Sequence, residues 1–150
     1  MSAIKFGVCG IGRIGIEHCR WFSDDSNQSK LEAVCDIAAD RVAAAAARFG
    51  CKGYADFAAF LADPEIELAI IATRSLDHAR SAAQALSAGK IVLLEKPIGV
   101  TAEDYTLLRQ LVEKYPQRIY FCHNHRFEPA FMNAQAIVAS GVLGRINVIK

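Results

Sequence analysis

The 150-residue chain reads as an α/β domain: a doubly wound parallel sheet with helices on both faces. Three observations predict it. Apolar runs of strand length alternate with helical segments along the whole chain. The runs are continuously apolar rather than alternating, as in strands covered on both faces. A glycine-rich turn joins the first such run to the first helix, the connection that doubly wound sheets use at their switch point. With 53% hydrophobic and 22% charged residues, the composition suits one soluble domain around a single core.

The elements follow in order. Ile4 to Cys9 has the length of a buried strand, and Arg13 to Phe22 reads as a helix. Leu31 to Cys35 is a second strand. Asp40 to Phe49 is an alanine-rich helix stopped by Gly50; its small side chains let it lie close on a sheet. Asp56 caps a short helix through Leu61, and Pro64 ends that region. Leu68 to Ala72 is a strand, Leu76 to Ala88 a helix ended by Gly89, and Ile91 to Leu94 a strand. Thr101 opens a helix to about Tyr115, with Asp104 placed as the third residue of a capping box. Ile119 to Cys122 is strand-like, Phe131 to Ala139 is helical before Gly141, and Arg145 to Lys150 begins as another strand.

A strand without a neighbour leaves an exposed edge. Residues 1–122 are therefore expected to form one domain. Residues 123–150 are expected to be the crossover helix and first strand of a second, absent α/β domain for substrate binding or oligomerisation. The alternative is that the final strand simply joins the sheet edge.

A net charge of +1 gives no electrostatic footprint for nucleic acid or an anionic membrane surface. No apolar run is long enough to span a bilayer and no secretory leader is recognisable, so a cytoplasmic location is the default. The five cysteines include no C-x-x-C pair and read as reduced, mostly buried thiols.

The chemistry begins at Gly10-Ile11-Gly12-Arg13-Ile14-Gly15, a G-x-G-x-x-G turn between a strand and a helix. Gly10 permits the tight turn, Gly12 lets a pyrophosphate approach the backbone, and Gly15 lets helix and strand pack closely. The helix N-terminus offers free N–H groups and a positive dipole end, and Arg13 stands beside it. Asp36 follows about 20 residues on, at the end of the second strand, where a carboxylate accepts from ribose hydroxyls. Together these residues form a Rossmann dinucleotide fingerprint. The Asp36 charge opposes a 2′-phosphate and favours NAD; Arg41 nearby keeps NADP compatible. Methyltransferases that use S-adenosylmethionine have a similar turn, but with tighter glycine spacing than that of Gly15.

Glu95-Lys96-Pro97 follows the strand Ile91 to Leu94. Ligands bind at such strand ends. Pro97 biases Lys96 toward an extended backbone, and a lysine there can orient a hydroxyl or relay its proton. Cys122, His123 and His125 invite a metal reading, since alternate residues of a strand share a face; suitably spaced third and fourth ligands are missing. Trp21 and the phenylalanines at helical spacing are expected in the core.

The segments "GIGRIG", "IIATRSLDHA", "LLEKPIG" and "NHRFEP" resemble the N-terminal half of the glucose–fructose oxidoreductase/inositol dehydrogenase (Gfo/Idh/MocA) family, and the resemblance covers essentially the whole chain. It implies an NAD(P)-dependent oxidoreductase in which a Rossmann domain precedes a larger α/β domain. The implied reaction is hydride transfer with the CH–OH group of a sugar, cyclitol or related small molecule, by a full-length protein that is a homo-oligomer. It implies that Lys96 is the catalytic lysine and that Thr73, His78, Glu95 and Pro97 border the cofactor. Asn124 and Arg126 match the family's N-x-R segment at the start of the crossover. Arg74 departs from the proline usual after the threonine. The second domain would hold further catalytic groups, so the 150 residues alone are expected to bind dinucleotide with little or no turnover. The competing expectation is a non-catalytic NAD(P)-sensing regulator, which would have no need of Lys96.

Overall fold

The computed structural model describes residues 3–23 and 28–148. Six parallel strands form one sheet: β1 (Ile4–Cys9), β2 (Ser29–Cys35), β3 (Lys52–Tyr54), β4 (Leu68–Ile71), β5 (Ile91–Leu94) and β6 (Ile119–Phe121), in the order β3-β2-β1-β4-β5-β6. The helices are α1 (Arg13–Ser23), α2 (Ala39–Phe49), α3 (Phe57–Ala62), α4 (His78–Ser87), α5 (Ala102–Lys114) and α6 (Pro129–Ala139). The doubly wound parallel sheet expected from the sequence is therefore the observed fold.

Alternation along each strand builds two cores, because successive side chains point to opposite faces. Phe6, Val8 and Ile70 join Cys19 of α1 and Ala45 of α2 on one face. Cys9, Ala69, Ile71, Val92 and Leu94 join Phe60 of α3, Ala82 and Leu86 of α4, and Leu108 and Leu111 of α5 on the other. The central strands are apolar on both faces, which is why their runs look continuous.

Local signals terminate the helices. Gly50 takes the left-handed conformation (φ 65°) after α2, and its N–H donates to the Ala46 carbonyl. Asp56 accepts from the Ala59 N–H at 2.7 Å to cap α3. Thr101 and Asp104 form the expected capping box on α5.

The structure departs from the sequence reading at four places. Lys52–Tyr54 pairs with β2 as a strand, although three residues containing Lys and Gly carry no apolar pattern. The helix expected from Leu76 starts as a 3₁₀ turn over Ser75–Asp77, and α4 proper opens at His78. β6 ends at Phe121, and Asn124–Phe127 is a 3₁₀ turn, so His123 and His125 do not share a strand face. Residues 145–148 form no strand and are exposed; a strand needs a neighbour for its N–H and C=O groups, and none is paired there among the described residues. Residues 149 and 150 lie outside the described set.

Candidate cofactor-binding site

The strand order reverses between β1 and β4, and the glycine turn stands at that reversal. Gly10 has φ +94°, and a Cβ there would stand 2.4 Å from the Ala72 carbonyl oxygen. Both the conformation and the approach of the β4 backbone require glycine. At Gly15 a Cβ would meet the Gly10 carbonyl oxygen at 1.9 Å, so the missing side chain seats α1 directly on the turn. No heavy atom lies within 4 Å of the corresponding point at Gly12, which faces open space. The first turn of α1 carries no acidic residue, so its free N–H groups and dipole remain available to an anion.

Two clefts flank the turn at the carboxyl ends of the strands. The first, about 540 Å³, is lined by Gly10, Gly12, Asp36, Ile37, Arg41, Thr73 and Arg74, with Arg80, Ser81 and Gln84 of α4 on its far wall. Asp36 is buried here. Its Oδ2 accepts from the Ile11 N–H at 2.8 Å and its Oδ1 from the Ala38 N–H at 2.9 Å. The Arg41 guanidinium lies 3.2 Å from Oδ1. Asp36 thus ties β2 to the glycine turn and still keeps lone-pair capacity, since each carboxylate oxygen can accept more than one bond. The Thr73 hydroxyl is buried without a partner at this cleft. An orphaned donor in a cleft of this composition fits a bound hydroxyl or phosphate.

The second cleft, about 470 Å³, is lined by Ile14 and Trp21 of α1, Glu95 and Lys96 after β5, and Cys122 to Arg126 after β6. Lys96 is exposed to it. The Lys96–Pro97 peptide bond is cis, which the sequence did not disclose. Glu95 is buried beneath. Its Oε1 lies 2.8 Å from His18 Nε2, and its Oε2 accepts from the Lys96 backbone N–H at 3.0 Å. Burial works to raise the Glu95 pKa, but donors from His18, Cys122 and the Lys96 N–H outweigh it and hold the carboxyl below its usual value. Burial first, and then the neighbouring Glu95, push the Cys122 thiol up to about 11.

The expected site residues divide accordingly. Gly10, Gly12, Asp36 and Thr73 converge on the first cleft, and Ile14, Glu95, Lys96, Asn124 and Arg126 on the second. Ile11 contributes its N–H while its side chain is core. Arg13 is exposed and lines neither cleft. His78 does not line a cleft either. It is buried, with Nδ1 2.7 Å from the Pro97 carbonyl oxygen and Nε2 3.0 Å from that of Thr73. It braces the loops after β4 and β5 against each other. Trp21, expected in the core, is 52% exposed and lines the second cleft. His18 escaped notice in the sequence; the available signal was a polar residue on the buried stripe of α1, one turn after Gly15.

The model of the Gfo/Idh/MocA oxidoreductase family, with its NAD-binding Rossmann fold, matches residues 4–123. The chain belongs to this family. It is 32% identical over 145 residues to the inositol 2-dehydrogenase of Salmonella paratyphi B, covering 95% of this chain and 43% of that protein. It is 30% identical over 150 residues to the rhizopine catabolism protein MocA of Rhizobium meliloti, covering 99% of this chain and 46% of the relative. Among solved structures, scyllo-inositol dehydrogenase from Lactobacillus casei, with bound NAD(H) and scyllo-inositol, matches with a TM-score of 0.89 at 27% identity, over 96% of this chain and 43% of that one. The WlbA dehydrogenase of Bordetella pertussis, in complex with NADH and UDP-GlcNAcA, matches with a TM-score of 0.90 at 25% identity, over 96% and 44% of the two chains. The chain thus spans less than half the length of these relatives. No helix among the described residues is long and apolar enough to cross a membrane.

Proposed function

We propose that this domain holds NAD(H) across its two clefts and serves as the cofactor half of an oxidoreductase acting on the CH–OH group of a sugar, cyclitol or related alcohol. One observation carries the reading: a single sheet end presents the open glycine turn and Asp36 on one side, and Lys96 on the other. Asp36 and Thr73 would accept and donate hydrogen bonds to the adenosine ribose, and the first turn of α1 would take the pyrophosphate. Lys96, with Asn124 and Arg126 around it, would meet the nicotinamide end. The bound nicotinamide supplies the hydride acceptor. The chain supplies orientation and proton handling: the Lys96 amine can accept the proton of the reacting hydroxyl, becoming an ammonium that holds the oxygen by a hydrogen bond.

Residues 123–150 would lead into a substrate and oligomerisation domain, and they expose Phe127, Met132, Ile137, Val142 and Leu143. Calorimetry with NAD and NADP on wild type and Asp36→Ala tests the cofactor assignment. Loss of a charged acceptor is expected to weaken NAD by about tenfold or more and to narrow its advantage over NADP. Unchanged NAD affinity would remove Asp36 from the site. Arg41, already paired with Asp36, is the residue placed to meet a 2′-phosphate.

A further inference from the structure

Beneath Lys96 lies a buried polar cluster: His18, Glu95 and Cys122, whose donor and acceptor atoms all stand within 4.8 Å of one another. His18 projects from α1, the helix that opens at the glycine turn, and meets Glu95 Oε1 at 2.8 Å. The other Glu95 oxygen accepts from the backbone N–H of Lys96 itself. Cys122, the residue after β6, closes the cluster and also donates to Asn124 Oδ1 at 3.0 Å. The His18 ring is held in orientation by Trp21, edge-on at 5.6 Å, and by Phe22, stacked at 6.0 Å.

We propose that His18 is a positioning residue for Lys96: it pins the Glu95 carboxylate, which in turn clamps the peptide that carries the lysine. The proposal rests on Lys96 acting at the reacting hydroxyl, as above. A buried carboxylate without donors rotates or protonates. With His18 on one oxygen and the Lys96 N–H on the other, it has one orientation, and the direction of the lysine follows from it. The cluster also links the phosphate-binding helix to the lysine turn through a single side chain.

A metal centre is the competing use of these three residues. Two ligands on a tetrahedral zinc stand about 3.3 Å apart at ordinary bond lengths. The His18–Glu95 separation of 2.8 Å is instead a donor–acceptor distance.

The test compares the wild-type chain with His18→Leu, which keeps bulk without a donor, and His18→Gln, which returns an N–H near the place of Nε2. In His18→Leu, hydrogen exchange at the Lys96 amide is expected to accelerate at least tenfold relative to the β5 amides, and the carbon-13 titration midpoint of the Glu95 carboxyl to move up. His18→Gln is expected to restore both. Should His18→Leu fail to fold, Glu95→Gln is expected to loosen the Lys96 amide in the same way. Unchanged exchange at Lys96, failure of His18→Gln to restore it, or one equivalent of transition metal in the purified chain would each overturn the proposal. NADH uptake, read by energy transfer from Trp21, is measured on the same samples. Its absence in wild type would sink the cofactor reading, whereas the amide result decides the role of His18 separately.

Discussion

At Gly15, helix propensity and tertiary contact pull in opposite directions. An alanine in a helix is favoured over glycine by about 1 kcal/mol. Here its Cβ would stand 1.9 Å from the Gly10 carbonyl oxygen, a backbone atom held by the turn. The clash wins, because α1 cannot retreat without leaving β1. Gly15→Ala is expected to destabilise by about 2 kcal/mol or more in urea unfolding, and a stabilised variant would disprove the packing role. The thiols are a second case. Desolvation pushes Cys19 up to about 12 and Cys51 up to about 11. Four of the five cysteines are buried. Iodoacetamide at pH 7.5 is therefore expected to leave the native chain largely unmodified by mass spectrometry and to alkylate all five once urea is added. Rapid native labelling would mean that the thiols are accessible.

The elements were legible where burial or capping demands particular residues. β4, β5 and the buried half of β1 after Lys5 are covered on both faces, so they had to be free of charged residues. Gly50, Asp56 and the pair Thr101–Asp104 announce helix ends because orphan backbone groups need partners there. β3 was not legible: Lys52–Tyr54 is a strand only because β2 offers its edge. The turn Asn124–Phe127 was likewise hidden, since β6 stops where its neighbour β5 stops. The capping box permits a pH prediction. Backbone N–H donors from Val100 and Thr101 hold the Asp104 carboxyl below its ordinary value. A depressed folded pKa gives stability that is present above the unfolded value, near 3.8, and is lost as pH falls through the folded one. Asp104→Asn should therefore lower Tm at pH 7, and the gap from wild type should close in acid. Thr101→Ala, which removes the other half of the box, is expected to cost about 1 kcal/mol at neutral pH.

At the scale of the whole molecule, the sheet order places two clefts on either side of one glycine turn. That arrangement suits a ligand with two nucleotide halves. The 150 residues, incubated with NAD and with myo- or scyllo-inositol, are expected to bind the cofactor and to produce no NADH above background, because the substrate walls would come from a second domain. Robust NADH production by the chain alone would overturn the division of labour proposed here. Lys96→Ala in an active full-length protein is expected to lower kcat by about 10² or more while leaving NAD affinity within a few-fold.

The sequence by itself determined the doubly wound class, the glycine turn, Asp36 as its partner and the place of Lys96 at a strand end. Each depends on local chemistry: a strand buried on both faces, a turn only glycine can make, an acid or lysine at a strand end. Tertiary structure alone decided what stands behind them. It brought His18 of α1 to Glu95 after β5, set His78 between the Pro97 and Thr73 carbonyls, and turned Trp21 outward into the second cleft. Those contacts join residues far apart in the chain, and the parallel crossovers that bring them together leave no periodic trace in the residues that meet.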